Sequence, residues 1–212
     1  MTLSVNLASV RERIVGAGGN LDAITIVAVT KGFGADVCRQ ALDAGLTDLG
    51  ENRVQEALDK MAEVSGGQWH LIGHLQTNKV KLAAGRFALI QSVDSLHLIE
   101  ALAHSGPVQR VLVEVNVARE PQKSGVAPEK AGGLIAEASR AMDLQGLMAM
   151  GPSHGDPTPA FVELRRLRDE AQQWLGKSLP ILSMGMSGDY EAAVKAGSTM
   201  VRLGQALFGP RP

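Results

Sequence analysis

Short apolar runs alternate with stretches of helical period from Ile24 to the end of the chain, a pattern that predicts βαβ units and a parallel sheet. The runs place strands at 24–30, 47–50, 68–73, 87–92, 109–117, 144–150, 180–184 and 199–203. Between them, 35-ADVCRQALDAG-45, 53-RVQEALDKMAEV-64, 94-DSLHLIEALAHSG-106 and 159-PAFVELRRLRDEAQQWLG-176 read as helices, the third with Asp94 as its N-cap. Ahead of the first strand, 1-MTLSVNLASVRERIVGAGGN-20 reads as a short amphipathic helix ended by glycines. Eight alternations after one extra helix predict a single (β/α)8 TIM barrel spanning 1–212, with its chemistry at the carboxyl ends of the strands. A doubly wound open sheet is the rival, weakened because no G-x-G-x-x-G follows the first strand.

The residues at those carboxyl ends are mostly polar. Lys31 follows the first strand, Glu51 and Asn52 the second, His74 and Asn78 the third, Ser187 and Gly188 the seventh, while Arg202 and Gly204 close the eighth. Strand alternation puts Val27, Val29 and Lys31 on one face and Met200, Arg202 and Gly204 on another, so inward faces would aim both cations into the barrel mouth. An unperturbed lysine is neutral in only about 1 molecule in 2,500 at pH 7. Burial beside apolar walls, with Arg202 nearby, lowers a lysine pKa and makes Lys31 a candidate Schiff-base amine.

Taken singly, Lys31 reads as a strand-end lysine reaching water, Ser187 as an N-cap and Gly204 as a turn. Together, two small-residue loops that lead into helices after strands seven and eight suggest a phosphate site, and an inward lysine beside it suggests a phosphorylated aldehyde. Pyridoxal 5′-phosphate fits that set. Arg202 can only donate to its ring nitrogen, which leaves the ring a weaker electron sink than a carboxylate partner would. A phosphate-sugar barrel with Lys31 as an aldolase-type amine is a further reading.

Composition narrows the partners. With 21 basic and 22 acidic residues the net charge is −1, which favours neither nucleic acid nor an anionic membrane surface. No stretch has the length of a membrane span or the features of a signal peptide. The single cysteine, Cys38, falls in a helix as a half-buried, inert thiol, in keeping with a reducing cytoplasm. No histidine pair has metal-ligand spacing, so no metal is expected; His70 reads as an interior residue and His97, His104 and His154 as surface positions. Glu51 reads as part of a cap and helix start, Lys79 and Lys81 as a solvated face, and 151-GPSHGDPTPA-160 as a surface loop.

The segments 28-AVTKG-32, 48-DLGENRVQE-56, 69-WHLIGHLQTNK-79, 123-KSG-125, 144-LQGLMAM-150 and 183-SMGMSGDYEAAVKAGSTMVRLGQALFG-209 closely resemble the pyridoxal phosphate homeostasis proteins, the YggS/PROSC-type family. The resemblance spans nearly the whole chain. It implies a barrel like the N-terminal domain of alanine racemases and pyridoxal phosphate held as a Schiff base on Lys31. It further implies Arg202 at the pyridine nitrogen, Ser187, Gly204 and the backbone of Gln205 on the phosphate, and Asn52 near the ring. Alanine racemases place a second base, a tyrosine from a C-terminal β-domain, opposite the lysine; this sequence runs to Pro212 and has only Tyr190, in the helix after strand seven. The implied role is therefore non-catalytic: a monomer that buffers pyridoxal phosphate or delivers it to apoenzymes dependent on that cofactor. A low-activity amino-acid racemase or lyase using Lys31 as its only base is the alternative.

Overall fold

The structure, a computed structural model, describes residues 2–210. Eight parallel strands close into a barrel in chain order: β1 (Thr25–Val29), β2 (Asp48–Glu51), β3 (Gln68–Leu71), β4 (Leu89–Val93), β5 (Arg110–Glu114), β6 (Asp143–Met148), β7 (Ile181–Ser183) and β8 (Met200–Leu203), with β8 pairing back to β1. Each expected strand is present, with ends shifted by up to three residues. The fifth stops at Glu114, beyond which Val115 makes only an isolated bridge to Val126.

Helix α1 (Leu3–Gly16) precedes the barrel. Then α2 (Ala35–Asp43), α3 (Val54–Glu63), α4 (Val80–Ala83), α5 (Leu96–Ala103), α6 (Pro128–Ala141), α7 (Thr158–Leu175), α8 (Tyr190–Lys195) and α9 (Gln205–Phe208) follow the eight strands in turn. The longest, α7, turns Ala160, Phe161, Leu164 and Ala171 onto the sheet and stops at Gly176, whose φ of 61° closes the helix in the left-handed conformation. Asp94 is not the cap of α5. The backbone is still extended at Ser95, whose hydroxyl takes the Leu98 amide, and Asp94 instead accepts from or faces the ring of His74 at 3.2 Å. Helix α1 packs on the α8 and α9 side, where Asn6 donates to the Leu207 carbonyl and Arg13 pairs with Glu191.

Two apolar layers result. The larger lies between strands and helices; the smaller fills the barrel with Val27, Leu89, Leu112, Met148 and Met200, against which Ile181 packs. Two residues further along four of these strands stand Gln91, Glu114, Ser183 and Arg202, all buried. A two-residue step keeps the side chain on the same face of a strand. The barrel interior thus changes from apolar to polar on approaching the carboxyl ends, where solvation of those groups is lost and each must be answered by a partner. Among the described residues, no helix is long and apolar enough to cross a membrane.

Candidate functional site

Arg202 is buried at 4% exposure, and its guanidinium bonds neutral oxygens: Nη1 donates to Ser183 Oγ at 2.7 Å and Nη2 to the Ala149 carbonyl at 2.8 Å. Burial pulls its pKa down to about 10, opposed by the charges of Glu114 and Asp189, so it stays a cation at neutral pH. Behind it the polarity of each hydrogen bond is set by the next. Ser183 donates to Gln91 Oε1 at 2.7 Å, the Gln91 amide nitrogen lies 2.8 Å from His70 Nδ1, and His70 Nε2 lies 3.0 Å from Asp48 Oδ1. With His70 neutral and its proton on Nε2 facing Asp48, Nδ1 is free to accept from Gln91, and the chain runs unbroken from Arg202 through the barrel to β2. His70 is the interior histidine expected from its place in the strand.

Lys31 sits two residues beyond the end of β1 and is half-buried. A Cβ on Gly50, opposite, would lie 2.9 Å from Val27 and 3.5 Å from Val29, and Val27 is part of the apolar layer that fills the barrel. The peptides on either side of Lys31 are both tied to one charged cluster. Lys60 Nζ donates to the Thr30 carbonyl at 2.8 Å, to Glu51 Oε1 at 2.6 Å and to Glu56 Oε1 at 2.8 Å, and the Gly32 amide donates to the same Glu56 oxygen at 2.7 Å. The Thr30 hydroxyl adds a bond of 2.6 Å to Glu51 Oε1. Glu51 is therefore no cap or helix start. It ends β2 fully buried, and α3 begins only at Val54, after Arg53 in extended backbone. Just past Lys31, Phe33 packs on Phe208 of α9 with ring centroids 5.7 Å apart.

The β7–α8 and β8–α9 loops meet at Ser187. Its Oγ accepts from the Ala206 amide at 3.0 Å, so it is not the N-cap of its own helix, a position held by Asp189, but bridges to the start of α9. The geometry rests on Gly185, at φ 96°: a Cβ there would come within 2.7 Å of the Ala193 Cβ and 2.9 Å of the Tyr190 Cα, and its carbonyl takes the Arg202 amide at 2.9 Å. Gly185→Ala is expected to lower stability by at least about 1 kcal/mol through strain and contact together, seen as a lower urea midpoint; an unchanged midpoint would mean that the loop yields freely. Gly204 lies where a Cβ would be 3.3 Å from the Val29 carbonyl, so the first turn of α9 sits close against the end of β1. Gln205, the first residue of α9, is exposed.

Asn52 is half-buried after β2, with its backbone so near Gly73 that a Cβ there would lie 2.4 Å from the Asn52 carbonyl. The six expected residues thus lie at one end of the barrel: Lys31, Asn52, Ser187 and Gly204 on the loops after β1, β2, β7 and β8, Arg202 within β8, and Gln205 at the start of α9. Sequence reading missed Glu114, Gln91 and Ser183. Glu114 is 3% exposed, and its carboxyl is pushed up to about 7 by burial and by the charge of Asp94, against the attraction of Arg202. Each interrupts an inward apolar register, in 89-LIQSV-93, 112-LVE-114 and 181-ILS-183, and that interruption was the available signal. Tyr190 lies elsewhere: it is buried under Arg13 of α1, 5.5 Å from ring centroid to guanidinium.

A barrel of eight parallel strands with its polar end at the strand termini, a lysine after the first strand and an arginine in the last defines a class, and residues 3–212 match the alanine racemase N-terminal domain family. A pyridoxal phosphate homeostasis protein of Aquifex aeolicus is 39% identical over 220 residues, covering 99% of this chain and 96% of that protein. The solved structure of PipY from Synechococcus elongatus with pyridoxal phosphate bound superposes with a TM-score of 0.86 at 33% identity, covering 98% of this chain and all of that one. An alanine racemase from Corynebacterium glutamicum shares the fold, with a TM-score of 0.77 at 17% identity over 60% of its own chain. The chain belongs to the pyridoxal phosphate homeostasis family.

Proposed function

We propose that this chain binds pyridoxal 5′-phosphate at the carboxyl end of the barrel and serves to hold and deliver it, with apoenzymes that use the cofactor as recipients. The observation that carries the reading is the buried Arg202 cation aimed at the polar end of the barrel, with neutral oxygens for its bonded partners. The donor set fits the group. Arg202 has more N–H groups than its two bonds use, and these suit a ring nitrogen that accepts but does not donate. Ser187, already accepting from the Ala206 amide, keeps its own O–H for an anionic oxygen, and the Gly204 and Gln205 backbone at the start of α9 lies next to that contact. Asn52 flanks the ring. When bound, the cofactor would supply an aldehyde, and Lys31 would be the amine that holds it.

The residues themselves favour retention over turnover. Arg202 keeps its proton and donates, so it cannot protonate the ring nitrogen in the manner of a carboxylic acid, and the electron sink stays weak. The one tyrosine, Tyr190, is buried with its ring against Arg13 of α1. A second reading, a slow racemase or lyase, draws support from Glu114, whose carboxyl titrates near the working pH of a general base. Incubation of the loaded protein with L-alanine in deuterated water separates the two. The carrier reading predicts negligible deuterium at Cα over hours and no effect of Glu114→Gln; exchange at enzymatic rates, lost in Glu114→Gln, would establish the enzyme.

A further inference from the structure

We propose that Lys60 is a positioning residue for Lys31, acting through the backbone; this rests on the reading of Lys31 as the covalent residue. Lys60 reaches back from the last turn of α3 and is 6% exposed, an unusual depth for a lysine. Each of its three N–H groups has a defined target: the carbonyl immediately before Lys31, the buried carboxylate of Glu51, and Glu56 one helical turn back. Glu56 in turn holds the amide immediately after Lys31, at Gly32, whose φ of 77° turns the chain away from the strand. One charged cluster therefore fixes both peptide groups that set the direction of the Lys31 Cα–Cβ bond.

Stability alone does not explain the arrangement. A buried ion pair is weak evidence of stabilisation, because the loss of hydration offsets the attraction, and apolar replacements of similar volume are often neutral or better. Glu51 also leaves Oε2 buried with no hydrogen-bond partner, a cost a purely structural cluster would avoid. At Glu51 burial outweighs the hydrogen bonds from Lys60 and Thr30 and raises the pKa, whereas the cation end of the pair holds its proton. Burial acts to strip the proton from Lys60, but hydrogen bonds to Glu51 and Glu56 outweigh it and raise its pKa, so the clamp stays charged when a neutral amine is needed next to it. Hydrogen bonds from Lys60 and Gly32 likewise win over burial and hold the Glu56 pKa low.

The test compares two ligands. Pyridoxal phosphate bonds covalently, whereas pyridoxine 5′-phosphate carries the same phosphate and ring but an alcohol in place of the aldehyde, so it reads the rest of the site without Lys31. Lys60→Met is expected to slow covalent capture by at least about tenfold, as a misplacement of an ångström would, while the affinity for pyridoxine phosphate stays within about twofold. Glu56→Gln keeps the buried Lys60–Glu51 pair and weakens the hold on Gly32 together with the Lys60–Glu56 contact; an about threefold slower capture is expected, and this variant decides the matter if Lys60→Met fails to fold. A parallel loss of both ligands, or capture at the wild-type rate in both variants, would overturn the proposal. Failure of the wild type itself to capture the aldehyde would instead overturn the role of Lys31, so the two failures are distinct.

Discussion

Lys31→Ala is expected to abolish the absorbance near ~420 nm of the loaded protein and to weaken pyridoxal phosphate binding by roughly two orders of magnitude, with the fold intact. The fold should survive because Lys31 is half-buried at a strand end and belongs to neither apolar layer. On the proposed binding mode its loss would remove the covalent bond and leave Arg202, Ser187 and the α9 backbone, so residual binding is expected. The effect is large in thermal shift. A ligand present at a hundredfold excess over its Kd adds about 2.7 kcal/mol to stability, whereas a hundredfold weaker Kd at the same concentration leaves only about 0.4 kcal/mol. Equal ligand-induced shifts in wild type and variant would mean that Lys31 makes no bond to the ligand. Pyridoxine phosphate supplies the control, since its affinity should be nearly the same for both.

The second large effect concerns Glu114 and depends on pH. Its folded pKa of about 7 lies above the unfolded value of 4.5, so between those values the native state holds more protons than the unfolded chain. Stability associated with the neutral carboxyl is complete below pH 4.5 and is lost as pH rises through 7, a cost of roughly 3 kcal/mol once the group is ionised. Glu114→Gln, neutral at every pH, should therefore stabilise the free protein more at pH 8 than at pH 5, by an extra 2 to 3 kcal/mol or so in urea denaturation. The attraction of Arg202 is already reflected in where Glu114 titrates. A stability difference between variant and wild type that is equal at the two pH values would show that Glu114 ionises as a solvated carboxyl. The same charge, appearing at the mouth above pH 7, opposes an anionic ligand, and the variant should hold pyridoxal phosphate more evenly across that range.

Most strands were legible as short apolar runs between helical stretches, and the end of the barrel to inspect followed from where those runs stop. What lay beyond reach was long-range. Ser187 looked like a local cap, and nothing in 186-MSGDYE-191 says that its hydroxyl meets an amide in the helix after the next strand. Asp94 and Ser95 are both good capping residues; the choice between them fell to the extended backbone at Ser95 and to His74, which arrives from another loop. Glu51 was read as part of a helix start because its true partners, Thr30 and Lys60, lie 21 residues before it and 9 after it. Gln91, Glu114 and Ser183 were open to discovery from the alternation already used for Arg202, since each stands two residues after an inward apolar position on its strand.

The amine that carries all of this can be identified chemically. Wild-type protein loaded with one equivalent of pyridoxal phosphate, reduced with borohydride and digested, should yield the phosphopyridoxyl group on the peptide that contains Lys31, in near-stoichiometric amount. Label distributed over exposed lysines such as Lys79 and Lys81, or no label at all, would contradict it.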